Sequence, residues 1–144
     1  MRIGIKSGCF SLLHAGHIFA LRYAASRVDY LIVLTNDDKY VLKKKGSVPI
    51  PLKDRMSILA AIKYVNEVHW FPQSTEELWI GNFKSCRLYA DFGQDAKLVV
   101  FHTIELANSD SVPAQSLADE IIFIPRIDSS VSDIFATIKG HPSV

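Results

Sequence analysis

Five short apolar runs, separated by stretches with helical periodicity, constrain what this chain can fold into more than any other feature. Arg2 to Lys6, Tyr30 to Thr35, Glu67 to Phe71, Lys97 to Phe101 and Glu120 to Ile124 read as strands. Between the first two, Ile18, Leu21, Ala24, Ala25 and Val28 recur at three- and four-residue spacing, which predicts a helix from about Ala15 to Arg27. Met56, Leu59, Ala60 and Ile62 to Lys63 suggest a second helix, the stretch after Ser74-Thr75-Glu76-Glu77 a third, and Ile134 with Ile138 a last. Ser74 or Thr75, and Ser130 or Ser132, are candidate caps. The alternation predicts an α/β fold: a Rossmann-like, doubly wound parallel five-stranded sheet. Ligands of such sheets lie beyond the carboxyl ends of the strands, at a topological switch point.

Composition narrows the function classes. The 144 residues, 49% hydrophobic and 22% charged, are expected to form a single domain over 1–144. Sixteen basic and fifteen acidic residues leave a net charge of +1, so no global field attracts nucleic acid or an anionic membrane. Charges interrupt the opening Met1 to Lys6 too soon for a secretory signal, and no apolar run approaches a membrane span. Cys9 and Cys86 match neither a disulfide framework nor a metal-ligand spacing, and a reducing, cytoplasmic setting is the expectation. Lys43 to Pro51 reads as a linker-like loop, and Asn108 to Ala114 as another.

The chemistry concentrates after the first strand. Ser7-Gly8 permits a tight turn and a close backbone approach to a ligand. His14 and His17 stand three apart at the start of a helix, with Gly16 leaving room between the imidazoles, and that end of a helix favours anions. Two bland readings stand beside this one. One histidine could cap the helix while the other packs inside, or the pair could belong to a zinc site, although His69, His102 and His141 show no ligand spacing.

The run Gly8-Cys9-Phe10-Ser11-Leu12-Leu13-His14-Ala15-Gly16-His17 resembles the G-x-F-D-x-x-H-x-G-H signature of the cytidylyltransferase-like nucleotidyltransferases. The similarity continues through Asp29 to Val33, Asp37-Asp38, Pro51 to Met56 and Ile62 to Val68, in the pattern of bacterial glycerol-3-phosphate cytidylyltransferases and heptose-phosphate adenylyltransferases. It is close over residues 1 to 71 and looser beyond. It implies that His14, His17 and Lys44 act on the phosphates, and that Gly8, Cys9, Phe10, Gly16 and Arg55 line the nucleotide site. Ser11, Lys43 and Lys45 fall to the acceptor. In similar enzymes the lysines lie in a mobile loop after the second strand, and any of the three could be the active one. A solvated charge run is the other reading of the lysines, and a surface ion pair with Asp54 or Glu67 the other reading of Arg55. Asp128 to Ile134 looks like a degraded I-S-T-T-x-I motif, which adds Ser130, Ser132 and the preceding Arg126 as phosphate ligands. Helix capping explains the serines equally well.

Two departures bear on substrate. Ser11 replaces the signature aspartate, and Val99 to Glu105 replaces a V-x-G-x-D-like turn, with His102 read as structural. The implied reaction transfers a nucleoside monophosphate to a small phosphorylated acceptor with release of pyrophosphate. CTP and glycerol 3-phosphate are the first choice of pair, ATP and a sugar phosphate the second, with Mg2+ as cofactor and a homodimer as assembly. The alternative from another class is a nucleotide-binding regulator that has lost turnover. A class I aminoacyl-tRNA synthetase is set aside, since neither its lysine-rich signature loop nor a basic tRNA surface is present.

Overall fold

The computed structural model describes residues 1–72 and 75–126. Five strands are all parallel: β1 (Arg2–Gly8), β2 (Tyr30–Asn36), β3 (Glu67–Phe71), β4 (Lys97–Thr103) and β5 (Glu120–Ile124). Their order across the sheet is β3-β2-β1-β4-β5, so the chain winds outward through β2 and β3, then returns to wind the other way from β4. The direction reverses between β1 and β4, where loops leaving adjacent strand ends diverge and open a crevice. Each predicted strand is present. The first, second and fourth extend one or two residues further toward that crevice than the apolar runs suggest, because polar Ser7, Asn36 and His102 continue the ladder there.

Burial follows the period of two. Ile3, Ile5, Ile32, Leu34, Leu98 and Val100 pack on one face with Ile80, Phe83 and Leu88 of α4 (Glu76–Phe83) and the π turn that follows it (Lys84–Leu88). Leu31, Val33, Val99 and Phe101 pack on the other with Leu21 and Ala24 of α1 (Ala15–Ala25) and Leu59 of α3 (Leu52–Ala60). Strands sheltered on both faces need the near-continuous apolar runs seen in the sequence.

Helix bounds depart from expectation in instructive ways. The helix predicted from Met56 begins a turn earlier, at Leu52, because Pro51 enters extended (φ −66°, ψ 159°) and its carbonyl accepts the first bond, from Arg55 N at 2.9 Å. Thr75 occupies the N-cap position of α4, yet its hydroxyl donates to the Pro72 carbonyl (2.8 Å) and not to helix capping. Lys43 to Lys45, expected in a loop, form the last turn of a helix, α2 (Asp38–Lys45). The Asp37 carboxylate accepts from Tyr40 N (3.0 Å) at its start, and Gly46 closes it in the left-handed region at φ 82°, a conformation that costs only glycine nothing. Residues 107–119 are turns and irregular chain, as expected of 108–114. Ser74, the last predicted helix, and Ser130 and Ser132 lie outside the described residues.

Candidate active site

The motif segment makes a turn that the rest of the fold holds rigidly. Phe10 takes φ 48° with its side chain buried, and its ring lies over Gly8, where an added Cβ would sit 3.2 Å from Phe10 Cε2. The Cys9 carbonyl accepts from Thr35 Oγ1 (3.1 Å) and from Arg55 Nη1 (2.7 Å), while the Cys9 thiol faces Asn36 Oδ1 at 3.6 Å. Burial pushes the thiol's pKa up, opposed in part by Lys44, Lys45, Arg55 and Lys6.

Arg55 is fully buried. Its guanidinium also donates to Ile50 O (3.0 Å), Thr35 Oγ1 (2.7 Å) and Asp38 Oδ1 (2.7 Å). The alternative pairs with Asp54 or Glu67 do not form, and Arg55, expected at the nucleotide site, is buried behind the motif turn and does not line either cleft. It ties the motif turn to β2 through the Cys9 carbonyl and the Thr35 hydroxyl, and to α2 through the Asp38 carboxylate.

His14 is the N-cap of α1: its Nδ1 accepts from Gly16 N at 3.0 Å. Reciprocally, His17 Nδ1 accepts from His14 N at 3.3 Å, which closes a capping box made of two imidazoles in place of the usual hydroxyl and carboxamide. A ring nitrogen that accepts carries no proton, so each neutral imidazole holds its proton on Nε2. The rings lie 4.0 Å apart, and His17 rests 5.3 Å from the Phe10 ring. Burial above all, helped by His14, Lys6 and Lys45, lowers the His17 pKa to about 4. His17 is therefore a neutral hydrogen-bond donor at physiological pH. Capping, one of the readings the sequence offers, is present, and the cap bonds fix the tautomer of both rings in the cleft.

A cleft of about 670 Å³ opens beyond the ends of β1, β4 and β5. It brings together Gly8, Cys9, Phe10, Ser11, His14, Gly16, His17, Lys44, Lys45 and Arg126, all expected from the sequence. Ser11 is 1% exposed and its hydroxyl has no partner among the described residues. Arg126 is exposed and pairs with Glu105 at 3.2 Å. Lys43 does not line the cleft; on α2 it stands about 100° from Lys44 and about 200° from Lys45.

Sequence reasoning missed Lys6, Thr103 and Glu105, which complete the cleft wall, and a second cleft of about 260 Å³ beside it. The smaller cleft is walled by Asn36, Tyr40, Glu76 and His102 and shares Lys6 to Cys9, Lys44 and Thr103 with the larger. His102, read as structural, is buried and its Nε2–H donates to the Pro113 carbonyl (2.7 Å). Among the described residues, no helix is long and apolar enough to cross a membrane.

A Rossmann-like sheet with paired imidazole donors, a helix N-terminus and lysines converging at its switch point defines a nucleotidyltransferase class of fold and site. The chain belongs to the cytidylyltransferase-like family, whose model matches residues 5–105. It is 33% identical over 142 residues to the bifunctional protein HldE of Halorhodospira halophila and 40% identical over 145 residues to that of Pseudomonas syringae pv. syringae. Each match covers 97% of this chain and 28% of the relative, so the chain spans little more than a quarter of the length of these relatives. Among solved structures, the lipopolysaccharide core biosynthesis protein of Thermoplasma volcanium shares the fold at TM-score 0.65 and 17% identity, covering 89% of this chain and 98% of that one. A bifunctional NMN adenylyltransferase/ADP ribose pyrophosphatase from Francisella tularensis does so at TM-score 0.54 and 14% identity, covering 95% and 41%.

Proposed function

We propose that this chain transfers a nucleoside monophosphate from a nucleoside triphosphate to the phosphate of a small acceptor, releasing pyrophosphate. The observation that carries the reading is the imidazole capping box: two rings whose Nδ1 atoms are fixed by backbone amides, at a helix N-terminus inside the larger cleft. An acceptor phosphate oxygen forms the new bond to the α-phosphorus as the bond to the bridging oxygen of pyrophosphate breaks. His14, His17, the amides of α1 and the ammonium groups of Lys44 and Lys45 stabilise the charge that moves onto the non-bridging and leaving oxygens. Gly8 to Phe10 and Gly16 give the nucleotide close approach to backbone, and Arg126 supplies further positive charge.

The donor set suits magnesium carried by the triphosphate. Among the described residues no three His, Cys, Asp or Glu side chains converge to hold a metal, and Asp38, Glu76 and Glu105 are engaged by Arg55, Ser7 and Arg126. Magnesium bound mainly through substrate phosphates needs no protein cage.

Relatives 33% and 40% identical over nearly the whole chain, with the resemblance to heptose-phosphate adenylyltransferases, favour ATP and a sugar phosphate over CTP and glycerol 3-phosphate. A homodimer is proposed on the family resemblance, to be checked by sedimentation. The decisive experiment measures pyrophosphate release with magnesium, each nucleoside triphosphate, and a panel of sugar 1-phosphates and glycerol 3-phosphate. Release with ATP and a sugar phosphate is the expected result. Tight nucleotide binding without turnover on any acceptor would replace this reading with the regulator.

A further inference from the structure

Two cations are buried among the described residues, and they are treated differently. Arg55 has four hydrogen-bond partners, one of them a carboxylate. Lys6, 8% exposed, donates once, to the Ser7 carbonyl at 2.6 Å. No carboxylate among the described residues forms an ion pair with it, and the nearby Glu76 is engaged by the Ser7 hydroxyl. On the sheet Lys6 stands in register with Val33 and Phe101, both buried, and its Nζ lies 6.0 Å from the centre of the Phe10 ring. Burial is the main influence on its pKa and lowers it, with Glu76 and Cys9 opposing.

A buried ammonium with two of its three N–H groups uncommitted and no counterion is destabilising relative to an apolar side chain of the same size. Such a group makes physical sense where an anion arrives. Lys6 lies in the wall shared by the two clefts, as Lys44 does. The larger cleft holds the helix N-terminus and the imidazoles. The smaller is lined by Asn36 and Tyr40, by Glu76 and His102, which Ser7 and the Pro113 carbonyl already engage in part, and by Phe71 and Leu106.

We propose that Lys6 is a catalytic residue that binds the acceptor's phosphate where the clefts meet, so that a hydroxylated acceptor lies in the smaller cleft and its phosphate oxygen faces the α-phosphorus. The proposal rests on the nucleotidyl-transfer reading. The arriving phosphate favours the charged form that burial alone disfavours; Lys6 then neutralises the attacking phosphate and neither gives nor takes a proton as the phosphorus–oxygen bond to pyrophosphate breaks.

The test is Lys6→Met, which keeps the bulk and removes the charge. With the acceptor that turns over, its KM is expected to rise about tenfold or more, the loss of one charge-assisted hydrogen bond. The KM for the nucleoside triphosphate should stay within about twofold, and the unfolding temperature should be unchanged or higher. An unchanged acceptor KM, or a rise confined to the triphosphate KM, overturns the proposal. Should the variant fail to fold, or the wild-type chain release no pyrophosphate with any acceptor, the wild-type protein still decides the matter. In the presence of a non-hydrolysable ATP analogue, inorganic phosphate is expected to shift the Lys6 side-chain NMR signal. No shift at saturating phosphate overturns the role of Lys6, whereas a shift without turnover removes only the nucleotidyl-transfer reading.

Discussion

His17 carries three contacts on one ring: its Nδ1 holds the start of α1, it packs near Phe10, and it lines the larger cleft. Replacing it by alanine removes a donor to the transition state, and turnover is expected to fall by roughly two to four orders of magnitude. Steady-state pyrophosphate release measures this, and near-normal activity in the folded variant sinks the assignment. Arg55 acts at one remove. Arg55→Ala strands the Ile50 carbonyl, removes one of the two bonds to the Cys9 carbonyl and leaves a cavity, so a loss of about 2 to 4 kcal/mol in denaturant titrations is expected. Arg55→Lys should recover only part of it, since one ammonium cannot span four oxygens in different directions. Recovery of full stability by lysine would show that charge, and not the planar fork, is what the turn requires.

Among the elements, the strands were legible because burial on both faces leaves no choice but continuous apolar residues. That holds for the three central strands; Glu67–Phe71 and Glu120–Ile124, at the two edges, match the predicted bounds although they are only partly buried. The start of α1 was legible from its own residues, since His14 and His17 are both the cap and the site. α2 was not. Only Val41 is buried in it, so no apolar stripe marks it, and its stabilisation comes from Asp37 at one end and Lys43, Lys44, Lys45 and Gly46 at the other. The same lysines therefore serve two purposes that their sequence cannot separate. All three complement the carbonyl end of the helix, while Lys44 and Lys45 alone line the cleft. This separates two variants. Lys43→Ala and Lys44→Ala should each cost only a few tenths of a kcal/mol in stability, but only Lys44→Ala should lower kcat/KM, by about tenfold or more. Equal effects of the two on kcat/KM would return the run to a generic charged surface. Lys6 escaped sequence reading because a lysine ending an apolar run looks like a strand leaving the core, and only the register with Val33 and Phe101 shows it turned inward.

At the scale of the molecule, the two ends of the sheet answer acid in different pH ranges. At the carboxyl end, His17 has a folded pKa of about 4 against 6.5 in the unfolded chain. At the opposite end, Glu67 opens β3. It accepts two bonds from Arg87 (2.9 and 3.0 Å), one from Tyr30 Oη (2.6 Å) and one from His69 (2.7 Å). Chiefly through Arg87, these hold its carboxyl at about 2, against 4.5 when unfolded. For both groups the folded pKa is depressed, so between the two values the unfolded chain binds a proton that the folded chain refuses, and stability falls as pH falls. The windows abut without coinciding. His17 contributes full stability above pH 6.5 and loses it as pH falls to about 4, whereas Glu67 contributes fully above 4.5 and loses it as pH falls to about 2. Each amounts to about 3 kcal/mol in total. Denaturant midpoints measured across this range should therefore descend in two successive stages. His17→Asn should flatten the upper stage and leave the lower, and Glu67→Gln, starting from a less stable chain, should flatten the lower and leave the upper. Because the two groups lie at opposite ends of the strands, their effects should add in the double variant. A wild-type profile that is level between pH 6.5 and 4.5 would mean that His17 accepts a proton in the folded state at its ordinary pKa. The Nδ1 acceptor that closes the cap, and with it the neutral imidazole on which the catalytic reading depends, would then be lost just below neutrality.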